Sequence, residues 1–328
     1  MKTICLSRTD SIGDVILTLP MAGLIKKKYP NTKIIFLGKT YTKPIIDNCE
    51  FVDEFINWSE LEKKTEIDCI NLFKEKNIDW FFHVFPNRKI ARIIKKAKIP
   101  ERVGTSHRLY HWLTCNHRPR FTRKNSNLHE SQLNLKLLTP ILEDNSISLT
   151  EMQNYFGFKK LTLPSRLNHY FEANVKHVIF HPKSQGSAVE WGAKNFIKLV
   201  NLLDKEKYRV YICGTQTEKE ILQDVLLTPL KNKVIDLTGQ LSLSEYIAFI
   251  QKCDVLIAAS TGPLHIAAVS GVKAIGLFSN KKPIFPQRWA PIGKNACTII
   301  NENSRQYTDP VKEIKEIKPE LVFEEIKR

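Results

Sequence analysis

Short apolar runs of strand length alternate with segments of helical period along most of this chain, and the alternation starts twice. Consecutive parallel strands cannot be joined by a tight turn, so strands alternating with helices predict an α/β fold with doubly wound parallel sheets. In the first half, strands are expected at 3–7, 33–38, 51–57, 79–85 and 102–104, and helices at 15–28, 42–48, 60–76, 90–98 and 130–142. The run 79–85 is apolar enough to be expected centrally. Polar, weakly patterned sequence then reaches to about residue 165, which divides the chain into domains 1–165 and 166–328. The second domain repeats the alternation, with strands at 177–181, 209–214, 234–237, 255–259 and 273–278 and helices at 193–204, 218–226, 242–252 and 262–270. Such sheets bind ligands outside the carboxyl ends of their strands, so the functional residues are expected in the loops there, in a central cleft between the two domains.

A length of 328 residues suits about two domains, and 42% hydrophobic with 26% charged residues excludes a disordered or fibrous chain. The charge balance is unusual. Fifty Lys and Arg against 34 Asp and Glu give a net +16, which predicts attraction to nucleic acid, an anionic membrane face or a phosphorylated small molecule. The densest positive stretch is 106–124, with Arg108, His111, His117, Arg118, Arg120, Arg123 and Lys124. It carries no RNA-binding signature, and Tyr110 and Trp112 are too few aromatics for base stacking, so nucleic acid is not expected as the partner. The seven cysteines are scattered and form no C-x-x-C pair, which argues against a disulfide framework or zinc module and fits a reducing cytoplasm. No apolar run reaches the ~18 residues of a membrane span and the start does not read as a signal peptide, so any membrane contact is expected to be peripheral.

Four segments after strands carry candidate chemistry. Ser11-Ile-Gly-Asp14 has the spacing of a capping box, and equally offers the Asp14 carboxylate to a crevice. In Ala258-Ala-Ser-Thr-Gly-Pro-Leu-His265, Thr261 and Gly262 begin a helix with Pro263 in its first turn, so free amides there can hold a phosphate or simply be capped. The loop His181-Pro-Lys-Ser-Gln-Gly-Ser187 offers Lys183 and Ser184 to phosphate oxygens, or is only a solvated loop. Glu218, in Gly214-Thr-Gln-Thr-Glu218, can accept from ribose hydroxyls or serve as an acidic helix start.

Together these segments resemble the heptosyltransferases of glycosyltransferase family 9, which build the inner core of lipopolysaccharide. The resemblance covers nearly the whole chain. It is carried by Ser11-Ile-Gly-Asp-Val-Ile-Leu-Thr-Leu-Pro20, His181-Pro182 followed by Trp191, Leu237-Thr-Gly-Gln-Leu-Ser-Leu243, Ser260-Thr-Gly-Pro-Leu-His-Ile-Ala-Ala268, and Phe278 with Arg288-Trp-Ala-Pro-Ile-Gly293. It implies a GT-B fold, two Rossmann-like domains facing a central cleft, with the acceptor held by 1–165 and the nucleotide-sugar by 166–328. The implied reaction is inverting transfer of heptose from ADP-heptose to an anionic Kdo-lipid A type acceptor, with Asp14 as general base. Donor binding is implied for Lys183, Ser184, Glu218, Ser260, Thr261, Gly262 and His265, and acceptor binding for Ser11, Arg108, Arg118, Arg120 and Arg123. No D-x-D pair occurs, so no metal or other cofactor is expected, and the amides of Thr261 and Gly262 with Ser184 and Lys183 are expected to meet the leaving diphosphate. The implied location is the cytoplasm, peripheral to the inner membrane.

Two positions depart from the family's pattern. Ser260 stands where the family usually has Asp, removing a carboxylate that would orient the sugar, and Val189 stands where it often has Lys, removing a cation that Lys183 or Lys194 would supply from another direction. These departures keep open a relative using another nucleotide-sugar or glycan acceptor, and a degenerate homologue that binds without catalysis.

Overall fold

In the computed structural model, which describes residues 2–124 and 126–328, the chain divides between Lys159 and Lys160 into two compact units. The first holds a five-stranded sheet of β1 (Thr3–Ser7), β2 (Lys33–Gly38), β3 (Glu54–Asn57), β4 (Trp80–His83) and β5 (Glu101–Val103). All are parallel, in the order β3-β2-β1-β4-β5. β1 is buried along its whole length, as expected for a strand covered on both faces. Its register sets Ile4 opposite Ile34 and Trp80, and Ser7 opposite Leu37 and His83. The centre is therefore β1, while the apolar run expected there supplies β4, one place off centre. Phe73, Ile90, Ile93 and Ile94 pack over Cys5, Ile35 and Phe81, with Phe73 and Phe81 edge to face at 6.0 Å.

The second unit holds six parallel strands, β6 (Lys176–His181), β7 (Tyr208–Ile212), β8 (Ile235–Asp236), β9 (Val255–Ala258), β10 (Lys273–Leu277) and β11 (Ala296–Ile299), in the order β11-β10-β9-β6-β7-β8. Each sheet reverses its winding once, between β1 and β4 in the first unit and between β6 and β9 in the second. Ligand crevices of doubly wound sheets lie at such points.

Three expected helices are each divided. The segment 15–28 is two helices, Ile12–Ile16 and Leu19–Lys28, because the Leu17 carbonyl between them is taken by Ser131 Oγ at 2.9 Å and Asn134 Nδ2 at 3.1 Å. The segment 60–76 becomes Trp58–Leu61 and Glu66–Glu75, each begun by its own side-chain cap, Asn57 and Thr65. The segment 130–142 holds the helix Glu130–Leu135 and then a tighter turn, Lys136–Leu138. The weakly patterned stretch before 160 is folded into the first unit, where Met152, Tyr155 and Phe156 are buried.

Beyond residue 278 the structure adds β11 and the helices Pro310–Lys315 and Pro319–Lys327, whose Ile314, Val322 and Ile326 complete the second core. Trp191 belongs to that core, its Nε1 donating to the Ile317 carbonyl at 3.0 Å. Among the described residues, no helix is long and apolar enough to cross a membrane. All seven cysteines are free thiols and six are buried.

Gly23 marks the tightest approach in the first unit. A Cβ there would lie 2.3 Å from the Tyr155 carbonyl oxygen, which is backbone and has little room to yield. Gly23→Ala is expected to cost about 1–3 kcal/mol, read as a lower urea midpoint at unchanged slope.

Candidate active site

β1 ends at Ser7, and Arg8 follows it directly into the crevice of the first unit. The side chain is 5% exposed and grips several groups at once. Its Nε donates to Asp10 Oδ1 at 2.7 Å, one Nη to Asp14 Oδ1, and the other to Asn134 Oδ1 at 3.3 Å and Glu130 Oε1 at 3.5 Å. Asp14 sits in the first turn of Ile12–Ile16, where Ser11 is the cap and Ser11 Oγ donates to Asp14 Oδ2 at 2.5 Å. Both carboxylate oxygens are thus oriented, and 17% of the side chain is still exposed.

Glu130 is buried and also receives Arg123 Nε at 3.1 Å, while Arg123 Nη2 donates to Asn134 Oδ1 at 3.0 Å. Three carboxylates therefore share two guanidinium groups. Burial opposes the charge on Arg8, but Asp14, Asp10 and Glu130 outweigh it and hold the group protonated. Burial pushes Asp10 up to about 6, against Arg8 and with the help of Asp14's charge.

In the second unit the loops after β6 and β9 leave the sheet on either side of the winding reversal. Helix Gly262–Val269 starts there with Thr261 as its cap residue, yet Thr261 makes no side-chain cap. Its Oγ1 is buried and has no hydrogen-bond partner, beside the first-turn amides that every helix leaves unpaired. An oriented hydroxyl next to those amides fits an anionic oxygen. Ser260 is half-buried, and His265 is buried one turn into the same helix.

The loop after β6 is ordered by a residue that the sequence reading passed over. Glu190 Oε2 pairs with Lys183, and Glu190 Oε1 accepts from the Ser184 amide at 2.9 Å. Ser184 Oγ lies 2.8 Å from the Ala188 carbonyl and 3.0 Å from Glu190 Oε1, so it serves its own loop. Glu218 is buried and closes a capping box, its Oε2 accepting from the Thr215 amide at 2.7 Å. His181, at the end of β6, contacts Tyr246 Oη through Nδ1 at 3.2 Å, and burial lowers its imidazole against the pull of Glu218 and Glu190.

The family model described as glycosyltransferase family 9 (heptosyltransferase) matches residues 75–317. The chain belongs to glycosyltransferase family 9. It is 26% identical over 304 residues to a Haemophilus influenzae protein named only as a glycosyltransferase, covering 89% of this chain and 86% of that one. It is 26% identical over 332 residues to lipooligosaccharide heptosyltransferase 2 of Campylobacter jejuni, covering 97% and 96%. The solved structure of the Escherichia coli ADP-heptose lipopolysaccharide heptosyltransferase II superposes with a TM-score of 0.76 at 19% identity, covering 100% and 98%. The fold is therefore that of the GT-B heptosyltransferases, and this chain is a glycosyltransferase.

The family 9 match begins after Asp14, so the surroundings of that residue are read from geometry alone. Of the four arginines expected to meet an acceptor, Arg123 joins the Asp14 cluster through Glu130 and Asn134. Arg118 lies over the Trp112 ring at 4.7 Å and donates to the Cys115 carbonyl. Arg108 and Arg120 are exposed. Sequence reading missed Arg8, Asp10, Glu130 and Asn134; an arginine directly after a buried strand, with acids two and six residues on, was the available signal. Among the described residues, no group of three or more His, Cys, Asp or Glu side chains is arranged to hold a metal ion.

Arg8→Met leaves three carboxylates with one guanidinium and is expected to cost about 3–5 kcal/mol, seen as a lower denaturation midpoint. Asp10 has a folded pKa above its unfolded value of 3.8. It therefore favours the fold fully below about pH 4, and that contribution is lost as pH rises through about 6. Asp10→Asn is expected to remove this fall in stability between about pH 4 and 6, measured by urea titrations at stepped pH.

Proposed function

We propose that this family 9 enzyme transfers heptose from ADP-heptose, with inversion, to an anionic lipopolysaccharide-core acceptor of the Kdo-lipid A type. The observation that carries the reading is the family match across 75–317, which takes in every proposed donor residue. The buried Thr261 hydroxyl, unpartnered at a helix start on the winding reversal, supports this unit as the nucleotide-sugar side. The donor diphosphate is met by the Thr261 hydroxyl and the amides from Gly262 on, where charge builds as the sugar leaves. Lys183, Ser184 and Ser260 line the same end of the sheet, His265 follows one turn on, and Glu218 serves the ribose hydroxyls.

In the first unit, Asp14 is the general base. Arg8 fixes Oδ1, and an acceptor hydroxyl takes the place of the Ser11 hydroxyl at Oδ2. The proton passes to Oδ2 as the acceptor oxygen attacks the anomeric carbon and the bond to ADP breaks. Arg108, Arg118 and Arg120 are assigned to the acceptor's phosphates and acidic sugars, with Arg123 acting through Glu130. The work is done in the cytoplasm, at the inner membrane surface.

One observation favours a second donor. Ser260 offers no carboxylate, and Glu190 already neutralises Lys183, so a different nucleotide-sugar is the competing assignment within the same chemistry.

ADP release from ADP-heptose, with and without deacylated Kdo-lipid A acceptor, tests the reading. Wild type is expected to release ADP only with acceptor. Asp14→Asn is expected to lose about 10²–10⁴ in rate with donor binding retained. Thr261→Val is expected to weaken ADP-heptose binding about tenfold, by the loss of one charge-assisted hydrogen bond. Binding of a UDP- or GDP-sugar in place of ADP-heptose would overturn the donor and leave the transferase standing.

A further inference from the structure

The helix Leu109–Thr114 is inside out. Leu109, Trp112 and Leu113, spaced to share one face, are 87%, 54% and 73% exposed, whereas His111 on the opposite face is fully buried. Soluble helices bury the apolar side, so a contiguous exposed apolar face of this kind marks an interaction surface. The helix is also held firmly. His111 Nδ1 lies 3.0 Å from the Thr105 carbonyl, and its ring packs on Tyr110 at 4.6 Å and on the buried His83 at 5.5 Å. Trp112 Nε1 donates to the Ser106 carbonyl at 3.0 Å, which fixes the indole edge while its ring face carries Arg118 at 4.7 Å. Arg108 stands at the N-cap position without a side-chain cap and Arg120 lies beyond the helix, both exposed.

We propose that this helix docks the first unit on an anionic phospholipid bilayer, with Leu109, Trp112 and Leu113 entering the headgroup boundary and Arg108, Arg118 and Arg120 meeting lipid phosphates. The charge complementarity selects the occupant: an apolar wedge ringed by cations matches an anionic interface, where tryptophan sits with its ring at the headgroup level. The docking deepens the transferase reading by supplying the route to a lipid-borne acceptor, and it rests on that reading for its purpose, but binding is measured without any donor.

The test is flotation of the full chain with vesicles of phosphatidylcholine, and of two parts phosphatidylcholine to one part phosphatidylglycerol. Wild type is expected to float with the anionic vesicles, less so at high salt, and to show reduced quenching of Trp112 fluorescence against a Trp112→Phe reference. The double variant Leu109→Ser/Leu113→Ser is expected to bind at least about tenfold more weakly, and Arg120→Gln about fivefold more weakly. Both leucines are exposed, so the double variant is expected to keep its thermal midpoint and its turnover of a deacylated, water-soluble acceptor. Equal flotation of wild type and the double variant overturns the proposal. So does flotation that requires acylated acceptor in the vesicle, which makes the face an acceptor subsite, or a wild-type dimer that the double variant renders monomeric. Loss of vesicle binding in the variant of a protein that shows no transferase activity upholds the docking and fails the function.

Discussion

Because a parallel strand is reached only by a crossover, each sheet of this chain fills one side of its first strand and then returns to fill the other. The loops leaving the two strands at that reversal part in opposite directions and leave a crevice. In the first unit these are the loops after β1 and β4, and in the second those after β6 and β9. Asp14 lies in the first helical turn after the first of these, and Lys183, Ser184, Ser260 and Thr261 lie on the second pair. The placement follows from topology before any side-chain chemistry is considered.

Within the first crevice, one buried cation organises the rest. Arg8 cannot lose its proton and cannot reach water, so the chain must bring acids to it. Asp10 and Asp14 come from the adjoining turn, but Glu130 comes from 122 residues away and carries Asn134 and Ser131 with it. Those two side chains take the Leu17 carbonyl and thereby divide the first helix. The ionic cluster and the helix break are one device: it fixes Asp14 on a short, separately capped turn whose carboxylate edge stays open to solvent.

What was legible in the sequence and what was not divide along the same line. Strands buried on both faces have a local signature, an apolar run, and ten of the eleven lie within or closely overlap the expected segments, the two-residue β8 among them, while β11, half exposed with the pattern Ala-Cys-Thr-Ile, has no such run. Helix breaks were illegible because distant groups make them, as Ser131 and Asn134 do at Leu17. The candidate residues Asp14, Thr261 and Glu218 were legible from their place after strands. Their partners were not: Glu190 is seven residues from Lys183, and nothing local says that it turns back rather than outward. The basic passage was legible as charge alone, since the outward apolar face of its helix depends on His111 being drawn inward by Thr105 and His83.

The net charge of +16 acquires meaning once the committed cations are set aside. Arg8 and Arg123 are shared among three carboxylates, Lys183 is held by Glu190, and Lys26, Arg209 and Lys273 have partners of their own. Across 106–124 this leaves Arg108, Arg120 and Lys124 exposed, with Arg118 tied to an indole. Exposed charges of this kind each contribute little in water, and salt screens them. A small monoanion would therefore be held weakly here. A partner with several phosphates engages the cations together, and one that also covers Leu109, Trp112 and Leu113 gains from apolar burial that salt does not screen. The anionic lipid surface proposed as the docking partner has both properties, so that single proposal accounts for the charge and for the exposed apolar face of the first unit together.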